Sequence, residues 1–127
     1  MAMPMTIPLG VSERVAEAVG DICADRRDTM RVVGLTDLVH GLGVPAGTLC
    51  LVLDSSESVE IILSLGANPT SLRSPIAVLI DEGWVVTVLV PSERLGEAHH
   101  GLRGSECLLQ PWWIEDDDLQ FGGYERP

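Results

Sequence analysis

Three short apolar runs, separated by amphipathic segments, dominate the pattern of hydrophobic and polar positions along this chain. They lie at 48–53 (TLCLVL), 84–90 (WVVTVLV) and 106–110 (ECLLQ). Apolar runs with so little polar alternation are typical of strands that are buried on both faces. We therefore predict three strands at these positions, the last shortened by the proline that follows it.

The segments around these runs carry helical periodicity. Apolar residues recur every three or four positions over about 12–27 and again over 35–42, which predicts an N-terminal helical hairpin. Three further helices are predicted: one begun by 54–56 and ended by Gly66, one begun at Ser74 and ended by Gly83, and one begun at Ser92 and ended by Gly104.

Strands that alternate with helices predict an α/β domain. We expect a small Rossmann-like domain with a three- to four-stranded, mainly parallel sheet and the N-terminal helical hairpin against one side. The single domain is expected to span 11–114. A flexible leader, 1–10, precedes it, and an acidic, disordered tail, 115–127, follows it because that segment has little to bury.

The segment 35–53 permits a second interpretation. With a turn glycine at Gly43 and apolar residues at set offsets around it, the segment resembles the helix-turn-helix of bacterial repressors. This alternative implies an α+β fold with a helix-turn-helix-like segment at 35–53. The recognition helix, 46–53, would lack Arg, Lys, Asn and Gln to meet DNA, so the regulator would be a degenerate one. We favour a strand, although the sequence leaves open whether 46–53 is strand or helix.

A shorter resemblance concerns the second apolar run. The stretch EGWVVTVLVPSE, 82–93, resembles the second strand unit of nucleotide-sugar transferases and other Rossmann-like proteins. The stretch contains no glycine-rich phosphate loop, so the resemblance implies a fold and no particular ligand.

Composition and charge narrow the functional classes. The chain has 127 residues with 19 acids and 8 bases, a net charge of −11, which disfavours nucleic acid and anionic membrane surfaces as partners. No apolar run approaches the roughly 18 residues of a membrane span, and no signal peptide is evident at residues 1–10. Three cysteines without CxxC spacing fit buried free thiols. We expect a cytoplasmic protein.

Polar residues after the first two predicted strands are candidates for ligand binding. They are Asp54, Ser55, Ser56, Ser92, Glu93 and Arg94. Open parallel sheets bind ligands at the carboxyl ends of their strands, so these residues would share one rim if the two strands were neighbours. Helix capping explains the same residues without a ligand.

Trp112 and Trp113 are candidates for partner binding. In an extended chain the two indoles point to opposite faces, and an exposed tryptophan beside polar residues is typical of a contact hot spot. The alternative is that the pair closes the end of the sheet. The adjacent His99 and His100 lie about 100° apart on a helix, so we predict no metal site there. We predict no catalytic residue and no cofactor.

These observations favour a non-catalytic protein–protein interaction or regulatory module. Self-association into a homodimer would protect the open edges of so small a sheet. Two alternatives remain: a small-ligand or nucleotide-binding α/β domain that uses the rim, and the degenerate helix-turn-helix regulator. The sequence does not identify a ligand or a partner, and it does not settle the strand order, the oligomeric state or whether the protein is an enzyme.

Overall fold

The computed structural model describes residues 14–18, 21, 30–41, 43–45, 47–63 and 66–127. Within these residues six strands form one sheet: β1 (Met30–Gly34), β2 (Leu49–Leu53), β3 (Ser58–Ile62), β4 (Val85–Pro91), β5 (Leu108–Glu115) and β6 (Asp118–Phe121). The helices are α1 (Leu35–Leu38), α2 (Arg73–Asp81) and α3 (Leu95–Gly101), and residues 14–18 are also helical.

The sheet is mixed, and its strands lie in the same order as in the sequence. Strands β3, β4 and β5 are parallel, whereas β1, β2 and β6 are antiparallel to their neighbours. The sheet curls into a half-barrel. The predicted Rossmann-like sheet of three to four mainly parallel strands is therefore wrong. The predicted N-terminal helical hairpin is wrong as well, because β1 lies between residues 14–18 and α1.

A tight reversal after β2 explains the main error. Asp54–Ser56 were expected to begin a helix, but they form one turn of 3-10 helix, and Glu57 follows with a φ of 51°. The backbone N–H of Glu57 donates to the Asp54 carbonyl at 3.2 Å, and the chain returns as β3. Both faces of β3 are buried, so its apolar residues matched a helical period as well as a strand period.

The helix-turn-helix alternative is also wrong. Leu49–Leu53, which would have lain in the recognition helix, is strand β2. It pairs with β1 on one side and with β3 on the other, and four of its five residues are buried. The uninterrupted apolar run therefore indicated the correct element.

Helices α2 and α3 and strand β4 lie where the pattern predicts them. Strand β5 is longer than predicted, because Pro111 lies within it and does not end it. The segment assigned to an acidic tail contains strand β6, and Glu125 beyond it exchanges two backbone hydrogen bonds with Leu109 at 2.7 and 2.8 Å. The predicted leader, 1–10, lies outside the described residues, as does most of the predicted helix over 12–27.

Side chains from the two faces of the sheet form two separate clusters. On one face, α1, α2 and α3 contribute Leu35, Ile76, Leu79, Ala98 and other buried residues to the larger cluster. On the opposite face, Val15 and Ala16 pack with Leu51, Leu53, Ile62, Leu89 and Trp112. Burial of apolar surface on both faces accounts for the nearly continuous apolar character of the central strands.

The chain leaves β6 through a position that requires glycine. Gly122 donates its backbone N–H to the Pro111 carbonyl at 2.8 Å, and its own carbonyl accepts from Nε2 of Gln110 at 3.1 Å. A Cβ added at Gly122 would lie 2.8 Å from Cγ of Pro111. The backbone passes directly against the proline ring, which leaves no space for a side chain.

We expect Gly122→Ala to lower the free energy of unfolding by about 1–3 kcal/mol, because the new methyl group overlaps the proline ring. Gly123→Ala is the matched control. A Cβ at that position meets no atom within 4 Å, so its effect should stay within about 0.5 kcal/mol. Urea unfolding of both variants measures the difference, and equal stabilities would contradict the proposed contact.

Candidate functional site

The two halves of the predicted ligand rim lie at opposite ends of the sheet. Strand β2 runs antiparallel to β3, so its last residue, Leu53, lies opposite Ser58 at the start of β3. Ser58 in turn lies opposite Val85, the first residue of β4. Asp54–Ser56 are therefore near the start of β4, whereas Ser92–Arg94 follow its end. The two segments would share one rim only if β2 and β4 ran in the same direction, and they run in opposite directions.

Asp54 is held by an arginine of the neighbouring strand. Its carboxylate accepts from Nε and Nη2 of Arg31 at 2.9 and 3.1 Å. These hydrogen bonds lower the pKa of Asp54 and raise the pKa of Arg31. Both side chains are half exposed. The carbonyl of Ser56 accepts from the Ser58 hydroxyl at 3.2 Å, and Ser55 also has an interaction partner. The segment thus has a structural role in the β2–β3 turn.

At the opposite end of the sheet, Arg94 connects two crossover segments. Its guanidinium donates to Glu97 through Nη2 at 2.7 Å and through Nε at 3.3 Å, and this pairing lowers the pKa of Glu97. The same guanidinium donates to the carbonyl of Ala67, in the connection that leads to α2. Ser92 and Glu93 are exposed in the turn before α3. None of these residues lines either of the two concavities beside α2 and Trp84.

The two tryptophans occupy different environments. Trp112 is 6% exposed and belongs to the core on the face opposite the helices. Among the described residues its Nε1 has no hydrogen-bond partner. Trp113 is half-buried, and its Nε1 donates to the Glu115 carboxylate at 3.3 Å. A partner could therefore reach part of Trp113 but not Trp112.

The sequence analysis did not anticipate a groove that lies beside α2. It has a volume of about 420 Å³ and runs between α2 and residues 104–106, just before β5. Its apolar lining comes from Ile76, Ala77 and Ile80, and its charged lining comes from Arg73, Asp81 and Glu106. We call it the α2 groove.

The loop that follows α3 lies beside α2. Helix α2 has nine residues, whereas α3 has seven and ends at Gly101, after which the chain continues as a loop. Nη1 of Arg73 donates to the carbonyls of Gly101 and Arg103 at 3.1 and 2.9 Å. These two hydrogen bonds hold the loop beside α2, and residues 104–106, which follow it, line the groove opposite the helix.

The C-terminal end of α2 carries an unusual charge. Asp81 is the last helical residue and Glu82 is the C-cap, although the partial negative charge of a helix C-terminus favours Lys or Arg there. A second concavity, of about 260 Å³, is lined by Glu82 together with Glu57, Gly83 and Trp84. Together the two concavities present four carboxylates and one guanidinium.

The buried thiols are poorly suited to chemistry. Burial raises the pKa of Cys50 to about 12 and also raises the pKa of Cys107. Both are therefore held as thiols, which are weak nucleophiles. Within the described residues no group of three His, Cys, Asp or Glu side chains is placed to hold a metal ion.

Comparison with protein-family models, with curated proteins and with solved structures finds no match to this chain. In the part of the chain that the structure describes, no helix combines the length and the apolar character needed to cross a membrane. The α2 groove must therefore be interpreted from its own geometry and charge.

One part of the groove was visible in the sequence. Two acids directly before Gly83, at a predicted helix end, go against the electrostatic preference of that position. The sequence does not predict the opposite wall. Residues 104–106 lie beside α2 because β5, which follows them, pairs with β4.

We expect Asp81→Lys to stabilise the fold, since it replaces an unfavourable charge at the C-terminus of α2. The control is Glu93→Lys, which makes the same change in net charge just before α3, where an acid is favourable. Asp81→Lys should be the more stable variant by about 1 kcal/mol, or roughly 4 °C in Tm. Calorimetry that ranked the two variants equally would show that the helix end does not matter.

Burial of the two thiols leads to a separate expectation. In a Cys23→Ser variant, Cys50 and Cys107 should react with a disulfide reagent only after denaturant is added, because neither thiol is accessible or ionised in the native protein. Absorbance of the released thiolate measures the reaction. Rapid labelling of the native variant would mean that at least one thiol is accessible.

Proposed function

We propose that this chain is a non-catalytic protein–protein interaction module that binds a segment of its partner in the α2 groove. One observation carries the proposal: a groove of about 420 Å³, with Ala77 and Ile80 among its lining residues and carboxylates at one end, runs along the side of a helix. Its volume is within the range of roughly 300–1,000 Å³ that is typical of small-molecule pockets, so the groove is large enough to hold a few side chains of a partner.

The dimensions of the groove favour a peptide. Arg73 and Asp81 are eight residues apart on α2, which corresponds to about 12 Å along the helix axis. An extended chain advances about 3.3 Å per residue, so about four residues span this length. Ala77, Asp81 and Glu106 are all exposed, so the groove is open to solvent along its side. Small-molecule sites enclose most of their ligand, whereas an open groove suits a chain that continues beyond it.

The environments of the other candidate residues also support binding over catalysis. Asp54 and Arg94 are held in pairs that connect neighbouring elements of the fold. Burial raises the pKa of Cys50 and Cys107, which keeps these thiols weakly nucleophilic. The rim that would have held a small ligand is divided between opposite ends of the sheet. We therefore propose an interaction module that binds its partner in the α2 groove and not at Trp112 and Trp113.

Two neighbouring residues of α2 allow a matched test. Ala77 lines the groove, whereas Val78 is 43% exposed and does not line it. Arginine is a good helix former, so Ala77→Arg and Val78→Arg should each change stability by no more than about 0.5 kcal/mol. The first fills the groove with a long side chain, and the second leaves the groove open.

Cross-linking capture from a lysate of the source organism, quantified by mass spectrometry, compares the two variants. Partners bound in the groove should be retained by the native chain and by Val78→Arg, and should fall at least about tenfold with Ala77→Arg, which corresponds to roughly 1.4 kcal/mol. Equal capture by both variants would place the partner elsewhere and contradict the proposal.

A further inference from the structure

We propose that the occupant of the α2 groove is a partner segment in which apolar residues are followed or preceded by arginine. This inference rests on the proposed function and names the chemistry of the partner. The apolar residues would lie against Ala77 and Ile80, and the guanidinium would lie at the end of the groove that carries the carboxylates.

The topology places the two groove carboxylates at the same end. Asp81 ends α2 shortly before β4 begins at Val85. Glu106 lies shortly before Leu108, which begins β5 and pairs with Thr87 of β4. Both acids are therefore near the starts of two adjacent parallel strands, and Arg73 lies about 12 Å away along α2. The groove therefore has a negative end and an apolar middle. At its other end the Arg73 guanidinium is hydrogen-bonded to two carbonyls.

The second concavity favours arginine over lysine. Glu57 and Glu82 line it together with the half-buried indole of Trp84. A planar guanidinium can donate two parallel hydrogen bonds to a carboxylate and can also stack on an indole, whereas an ammonium acts as a compact, strongly hydrated charge. Arginine in the partner can satisfy both kinds of contact here.

Two electrostatic terms act in the same direction. The C-terminus of α2 adds partial negative charge beside Asp81, and the whole chain carries a net charge of −11. The local term stabilises a bound cation, and the long-range term increases the rate at which a basic partner arrives. Both weaken as salt is added, which makes the inference measurable.

The test uses the full chain and four acetylated, amidated peptides: Leu-Leu-Arg-Arg, Arg-Arg-Leu-Leu, Leu-Leu-Lys-Lys and Leu-Leu-Glu-Glu. Titration followed by ¹⁵N–¹H correlation spectra gives both the affinity and the position of binding. At least one arginine peptide should shift the amides of Ala77, Ile80 and Ser105. It should bind more tightly than the lysine peptide and at least about tenfold more tightly than the glutamate peptide.

A pair of double variants separates local from global charge. Asp81→Asn with Glu106→Gln removes two carboxylates from the groove, and Glu93→Gln with Asp116→Asn removes two exposed carboxylates that do not line it. The first should weaken the arginine peptide about three- to tenfold and the second less than about twofold. Raising NaCl from about 0.1 to about 1 M shortens the Debye length from about 10 to about 3 Å, and should remove most of that difference.

Three results would overturn the inference: binding of the glutamate peptide as tight as that of the arginine peptides, equal weakening by the two double variants, or no binding by any peptide. Capture with Ala77→Arg then distinguishes the two proposals. If that variant still loses partners that Val78→Arg retains, the groove remains the binding site and only the chemistry of its occupant is wrong. If it loses none, the proposed function fails as well.

Discussion

The parallel pairing of β3 with β4 holds the two halves of this fold together. Strand β3 is the last member of the antiparallel part of the sheet, and β4 is the centre of the parallel part. Both strands are buried on both faces, and the crossover between them includes α2. The direction of β3 therefore determines at which end of the sheet the crossover to α2 begins. It also determines at which end α2 finishes, and so where the acidic end of the groove lies.

The sequence indicated elements wherever one local rule was sufficient. Strand β4 was predictable from a continuous apolar run, and α2 from a serine and a proline at its start. Prediction failed at β3 because burial on both faces removes the alternation that distinguishes a strand. It failed at β6 because Asp116 and Asp117, which adopt φ values of 50° and 66°, form a tight turn in a stretch whose composition suggested a solvated tail.

The candidate site was less predictable than the fold, for a topological reason. Placing Asp54 beside Ser92 required a parallel β2, and one turn centred on Asp54–Ser56 makes β2 antiparallel to β3 instead. The α2 groove depends on residues about 25–30 positions apart, such as Arg73 and Arg103, which meet only after two crossovers. Periodicity and motif spacing report on neighbours along the chain, so they contain no information about such a wall.

The two crossover helices end in opposite ways, and the difference bears on function. The last carbonyls around the end of α3 accept from the Arg73 guanidinium, a favourable placement of positive charge at a helix C-terminus. At the end of α2 the same position holds Asp81 and Glu82, which oppose the helix dipole. A cation bound beside these two carboxylates would offset their unfavourable interaction with the helix dipole. The Arg73 guanidinium therefore stabilises the fold at the end of α3. The carboxylates of Asp81 and Glu82 at the end of α2 are the stronger indication of a partner.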